Sequence, residues 1–174
     1  MAQILYFEDL AAGQSWLTPL REITAEDVAL FAQLTGDHTS LHEDNPGGSP
    51  FGKPVVHGLL GLSIMAGLSA SCPNLETLAL VSVGPWEFRR PIYFGDVVRA
   101  ESEIVVLESA GRRAGRVFWR RRLLGPNGEV YQEGELETLV ARRTPLRGKR
   151  KTVDADSPAL AITNAESEIT VQPN

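Results

Sequence analysis

Hydrophobic positions along this chain change period near its middle, and the change separates a helical first half from a stranded second half. Trp16, Thr18 and Leu20 alternate loosely, which predicts a first strand over Trp16 to Ile23. Thr24 then caps a helix, and Asp27 three residues on completes a capping box. Glu26 and Asp27 suit the positive end of that helix. Val28, Phe31, Ala32 and Thr35 share one face, and Gly36 is placed to end the helix in a left-handed conformation. A loop rich in Gly, Pro and Ser follows from Asn45 to Gly52. Val56 to Ala70 is then apolar on nearly all sides, so a buried helix roughly 22 Å long is expected. Gly58, Gly61 and Gly67 each lower its intrinsic propensity by about 1 kcal/mol. Such a helix needs tertiary support.

After Cys72-Pro73-Asn74 the period falls to two. Leu78 to Phe88 is a strand with a bulge expected at Gly84-Pro85. Val97 to Leu107 carries an inward set of Val98, Ala100, Ile104 and Val106. Arg116 to Leu124 sets Val117, Trp119 and Leu123 against Arg116, Arg120 and Arg122. Pro126-Asn127-Gly128 marks a hairpin, and Glu129 to Val140 returns with Tyr131, Glu133, Glu135 and Glu137 opposite Val130, Leu136 and Val140. Those acids are expected to face the arginines across the sheet. Two helices followed by several strands is an α+β pattern, a long apolar helix packed on an antiparallel sheet. It occupies residues 1–143. Residues 144–174 turn basic, then polar without period, and are expected to form a mobile tail.

Composition narrows the function classes. A length of 174 residues suits one domain, and 43% hydrophobic residues can bury a core. A net charge of -5, with acids facing the arginines, argues against nucleic acid as a partner. One cysteine, Cys72, excludes an internal disulfide and fits a reducing compartment. The first residues carry no basic n-region, so no signal peptide is expected. Val55 to Cys72 is interrupted by His57, glycines and serines, which favours a buried helix over a membrane span.

The candidate chemistry gathers between Leu34 and Ala70. Asp37 follows a helix-ending glycine, which fixes its position. His42, five residues on, can exchange a proton near neutral pH. His57-Gly58 opens the buried helix, whose free N–H groups suit an oxygen bearing negative charge. A carboxylate, an imidazole and an oxyanion site together equip proton chemistry beside a carbonyl. Spacing alone also allows ordinary surface residues. The three histidines with Asp37 match no familiar zinc spacing, so no metal is expected. Ser63 lies in no nucleophile elbow, and Cys72 reads as a helix-end thiol.

The segment Leu34-Thr-Gly-Asp-His-Thr-Ser-Leu-His-Glu-Asp, followed by Phe51-Gly-Lys-Pro-Val-Val-His-Gly, resembles the signature of MaoC-like dehydratases, including the (R)-specific enoyl-CoA hydratases of the hot-dog fold. Phe88-Arg-Arg-Pro-Ile-Tyr-Phe-Gly-Asp96 resembles that family's Pro-x-x-x-Gly-Asp turn. The resemblance covers roughly Tyr6 to Arg143. It implies a single hot-dog domain, an antiparallel sheet wrapped around the helix Val56 to Ala70. It also implies a homodimer or dimer of dimers, no cofactor and a cytoplasmic setting. The implied activity is hydration of a trans-2-enoyl thioester, or dehydration of a 3-hydroxyacyl thioester, carried on coenzyme A or a carrier protein. By similarity Asp37 and His42 hold the water, and the Gly58 N–H binds the thioester carbonyl. Thr39 and Ser40 stand where the hydratase motif commonly has Asn-Pro; with His57 they are expected near substrate. His38 is expected at the surface, and Lys53, Arg89 and Arg90 are candidates to meet carrier phosphate. A hot-dog thioesterase and a non-catalytic acyl-binding subunit are the alternatives.

Overall fold

A computed structural model describes residues 3–43 and 49–144. The expected tail, apart from Thr144, lies outside the described residues, as does the first half of the Gly/Pro loop. Six strands and two helices follow in the order β1 (Ser15–Leu17), β2 (Arg21–Glu22), α1 (Ala25–Thr35), α2 (Gly58–Ser69), β3 (Thr77–Phe88), β4 (Val97–Ala110), β5 (Ala114–Leu124) and β6 (Val130–Ala141). The sheet is antiparallel in the order β1-β4-β5-β6-β3, with β2 also paired to β4. Helix α2 packs across its inner face, chiefly on β4 and β5. This is the hot-dog arrangement, a single α+β domain.

Local chemistry accounts for most boundaries. Thr24 accepts from the Asp27 N–H at 3.2 Å, and the Asp27 carboxylate accepts from the Thr24 N–H at 3.0 Å. Gly36 adopts φ 78°, and its N–H donates to Ala32 at 2.8 Å. Helix α2 begins two residues later than the apolar run, because Val55 and Val56 are held by the sheet instead. Val55 bridges to Tyr93, and the Val56 N–H donates to Ile92 at 2.8 Å. Leu60, Gly61, Ile64, Met65 and Ser69 are buried, whereas Leu59 is exposed. The helix is therefore covered on one side in the single chain, not all around.

Two strand expectations change. The predicted strand Trp16 to Ile23 is split into β1 and β2. Pro19 has no N–H to give to a ladder, and Thr18 pairs with Ala100 through both its N–H and its hydroxyl oxygen, each at 2.9 Å. On β4, Val98, Ala100 and Ile104 are buried as expected, but Val106 is 43% exposed. A register shift between Ile104 and Val106 inserts a residue and turns Val106 to the outer face. The bulge expected at Gly84-Pro85 is present, as a register shift between Val83 and Trp86.

Trp119 is the largest fully buried side chain of the core, which includes Ile23, Met65, Ile92, Ile104, Leu123 and Val140. Arg121 shares the inward side of β5 with it, its guanidinium 5.0 Å from the Trp119 ring. Burial lowers the Arg121 pKa to about 10, so it stays charged at neutral pH. Of the expected pairs between β5 arginines and β6 acids, Arg122 meets Glu133 at 3.3 Å and Arg116 meets Glu137 at 2.8 Å; two further pairs reach β4, Arg122 to Glu101 at 2.7 Å and Arg120 to Glu103 at 3.3 Å. The more exposed pair, Arg120 with Glu103, contributes roughly 0–1 kcal/mol.

Candidate active site

The end of α1, a short 3-10 turn (Ser40–His42) and the start of α2 converge on one place. Asp37 Oδ2 lies 3.9 Å from His42 Nε2 and 3.9 Å from His57 Nε2. The two imidazoles stack with centroids 3.7 Å apart and planes inclined by 26°. Residues 20 apart in sequence are thus brought to one carboxylate.

Hydrogen bonds decide which nitrogens carry protons. His42 Nδ1 lies 2.7 Å from the Val55 carbonyl oxygen. A carbonyl only accepts, so Nδ1 bears the hydrogen and the neutral ring presents the Nε2 lone pair toward Asp37. His57 Nε2 lies 3.0 Å from the Asp37 backbone carbonyl and bears the hydrogen for the same reason. Its Nδ1 is buried without a partner among the described residues, and the ring is 3% exposed. His57 thus clamps the residue that carries the carboxylate through its backbone carbonyl. It stacks on His42 and meets Phe31 at a tilt of 56°, with ring centroids 5.2 Å apart.

Asp37 is 47% exposed at its side chain and is held ionised by Thr39. The Thr39 hydroxyl donates to Asp37 Oδ1 at 2.6 Å and the Thr39 N–H at 3.2 Å. These bonds lower the Asp37 pKa, the hydroxyl most, with smaller contributions from His57 and His42. Oδ1 is occupied and Oδ2 remains for chemistry. Thr39→Val removes the hydroxyl bond, so the carboxyl should protonate at higher pH than in the wild type. A carbon-detected NMR titration of Asp37 checks this. An unshifted titration would show that the hydroxyl does not control the carboxylate.

Gly58 is the first residue of α2, so its N–H has no acceptor within the helix. A side chain there would crowd the Phe88 ring at 3.0 Å. Gly58 and His42 line a groove of about 400 Å³ with Phe51, Phe88, Arg90 and Gln132. Asp37 and His42 line a second cleft of about 300 Å³ with Val28, Ala29, Ala32 and Phe94, and His38 and Glu43 border it. His42 is common to both. Thr39 is turned onto Asp37, and Ser40 lines neither cleft. Arg89 is tied to Glu87 at 2.8 Å and to Glu133, whereas Lys53 lies 3.8 Å over the Tyr93 ring.

Ligand atoms of Asp37, His42 and His57 fall within 4.8 Å of one another. His57 Nε2 is engaged with the Asp37 backbone carbonyl and bears a hydrogen. The arrangement suits proton transfer better than ligation. Gln132 was not singled out in the sequence. Its one signal is an amide in step with the inward positions Leu136 and Val140 of the same strand.

A family model described as MaoC like domain matches residues 9–117. The chain belongs to the MaoC-like domain family. It is 32% identical over 115 residues to the 3-hydroxybutyryl-CoA dehydratase of Methylorubrum extorquens, covering 64% of this chain and 71% of that one. It is 36% identical over 96 residues to protein MaoC of Klebsiella aerogenes, covering 54% of this chain and 29% of that longer protein. The solved (R)-hydratase of A. caviae superposes with a TM-score of 0.64 at 27% identity, over 75% of this chain and 97% of that one. Among the described residues no helix is long and apolar enough to cross a membrane.

Proposed function

We propose that this MaoC-like chain is a hydro-lyase that adds water to a trans-2-enoyl thioester, or removes it from a 3-hydroxyacyl thioester, with coenzyme A as carrier. The observation that carries the reading is the pair of acceptors, His42 Nε2 and Asp37 Oδ2, 3.9 Å apart beside the free N–H of a helix start. One water can bridge that gap. Both groups accept, so both hydrogens of the water point at them and a lone pair faces outward toward the substrate. The Gly58 N–H donates to the thioester oxygen. As the water oxygen bonds to C3, the C2–C3 π pair moves onto C2 and the carbonyl, and one water proton passes to His42 Nε2. The enolate is held by Gly58, a type of donor whose loss costs on the order of 3 kcal/mol in the barrier. The protonated His42, steadied by ionised Asp37, returns a proton to C2. Hydroxyl and hydrogen are added from the same side, and both groups are restored.

The working unit in this reading is a homodimer. Among the described residues strand β3 pairs with β6 on one side only, and it exposes Leu80, Val83 and Phe88. An open edge of this kind is normally covered. Acyl-CoA chemistry and a lone thiol fit the cytoplasm. Purified protein mixed with crotonyl-CoA and longer or branched enoyl-CoAs should consume the conjugated thioester absorbance, and sedimentation should give twice the chain mass. Failure on every substrate would sink the activity, and release of free thiol would point to a thioesterase instead. A monomer at micromolar concentration would sink the dimer.

A further inference from the structure

Gln132 is 2% exposed, lines the groove of His42 and Gly58, and has no part in the reaction just described. Its amide spans two elements. The Trp86 indole N–H donates to Gln132 Oε1 at 3.2 Å, and Gln132 Nε2 donates to the Gly58 carbonyl oxygen at 3.0 Å. The amide orientation follows from these partners, since an indole only donates and a carbonyl only accepts. Two glycines make the relay possible. A Cβ on Gly61 would meet Gln132 Nε2 at 2.2 Å, and a Cβ on Gly134 would meet the Trp86 ring at 2.3 Å. The first turn of α2 therefore leaves room for the Gln132 amide, and β6 leaves room for the Trp86 ring that holds it.

We infer that Gln132 is a positioning residue for the oxyanion donor, fixing the first residue of α2 so that the Gly58 N–H points at the thioester oxygen. The inference rests on the proposed role of Gly58. Helix starts fray, and an N–H that swings through tens of degrees makes a poor electrostatic partner for a developing charge. The second bond to the Gly58 carbonyl holds that residue against the sheet. Trp86 in turn holds the amide from β3, the strand at the open edge, so the donor is tied to the part of the sheet where a second chain would pair.

The test uses Gln132→Met, which keeps the length but loses the donor, and Gln132→Glu, which still accepts from Trp86 but cannot donate to Gly58 when ionised. Both should lower kcat on crotonyl-CoA by about tenfold or more while KM stays within about threefold. Trp86→Phe leaves the donor in place and should lose less. The second readout is the carbonyl stretch of bound butyryl-CoA carrying a labelled carbonyl carbon, which has no double bond to hydrate. The wild type should shift it to lower frequency, and both Gln132 variants should lose most of that shift. Unchanged kcat and unchanged stretch in either folded variant would overturn the inference. So would parallel losses of melting temperature and activity with the stretch intact. If the wild type hydrates no enoyl thioester, the activity reading fails, and the carbonyl stretch still decides the role of Gln132.

Discussion

Asp37→Asn and His42→Ala should each lower kcat for hydration by roughly 10²–10⁴-fold with little change in KM. Asparagine keeps the size of Asp37 and can still accept from the Thr39 hydroxyl, but it removes the charge that steadies a protonated His42. Alanine removes the Nε2 lone pair and the Val55 tie together. Neither side chain is needed to hold the carrier, so substrate should still bind. The pair acts on one water, so the double variant should be little worse than the poorer single one. Stopped-flow or steady-state loss of enoyl absorbance measures this. Retention of more than a tenth of wild-type kcat in either variant would remove that residue from the reaction.

The largest stability effect is expected at Trp119. Its side chain is 1% exposed, its indole N–H donates to Thr138 Oγ1 at 2.9 Å, and it packs 6.2 Å from the Trp16 ring. Ile104 and Leu136 flank it across the ladders. Trp119→Ala should cost about 3–5 kcal/mol, from lost burial and the cavity left behind. It also leaves the Thr138 hydroxyl without its donor and Arg121 without the ring beneath it. For a domain of this size the melting temperature should fall by roughly 10–15 °C. Trp119→Phe should fall much less, because most of the apolar surface remains. Denaturant melts give the difference, and equal stability of alanine and wild type would mean that the core is centred elsewhere.

What could be read from the chain beforehand follows the range of the forces involved. Helix α1 was legible because its signals are local: Thr24, Asp27 and Gly36 act on their own backbone. Asp37, His42 and Gly58 were singled out because their spacing resembles a family pattern, and the fold brings the first two within 3.9 Å. The ion pairs of β5 arginines with Glu133 and Glu137 followed from period-two alternation, whereas those with Glu101 and Glu103 on β4 were not anticipated. The bulge that turns Val106 outward was not legible, since nothing in Ile104-Val105-Val106 marks which residue is extra. The split of the first strand at Pro19 required knowing that Thr18 would pair with Ala100. The start of α2 was misplaced because Val55 and Val56 are apolar enough for a helix, and only the partners Tyr93 and Ile92 pull them into an extended conformation. The proton placement on His42 depends on a backbone carbonyl 13 residues away, and Gln132 on partners 74 and 46 residues away. Periodicity carries none of these distances.

Val55 has one further consequence. Its N–H donates to the Leu41 carbonyl at 3.1 Å while its own carbonyl receives the His42 ring at 2.7 Å. The chain leaves the site after His42 and returns to it at Val55, and the two ends are stapled together. Whatever connects them can therefore be lengthened or exchanged without moving the imidazole, and doubling such a connection costs only about 0.6 kcal/mol in closure entropy. The stretch works as a cassette, on which substrate preference could be grafted while the proton-transfer geometry is inherited intact.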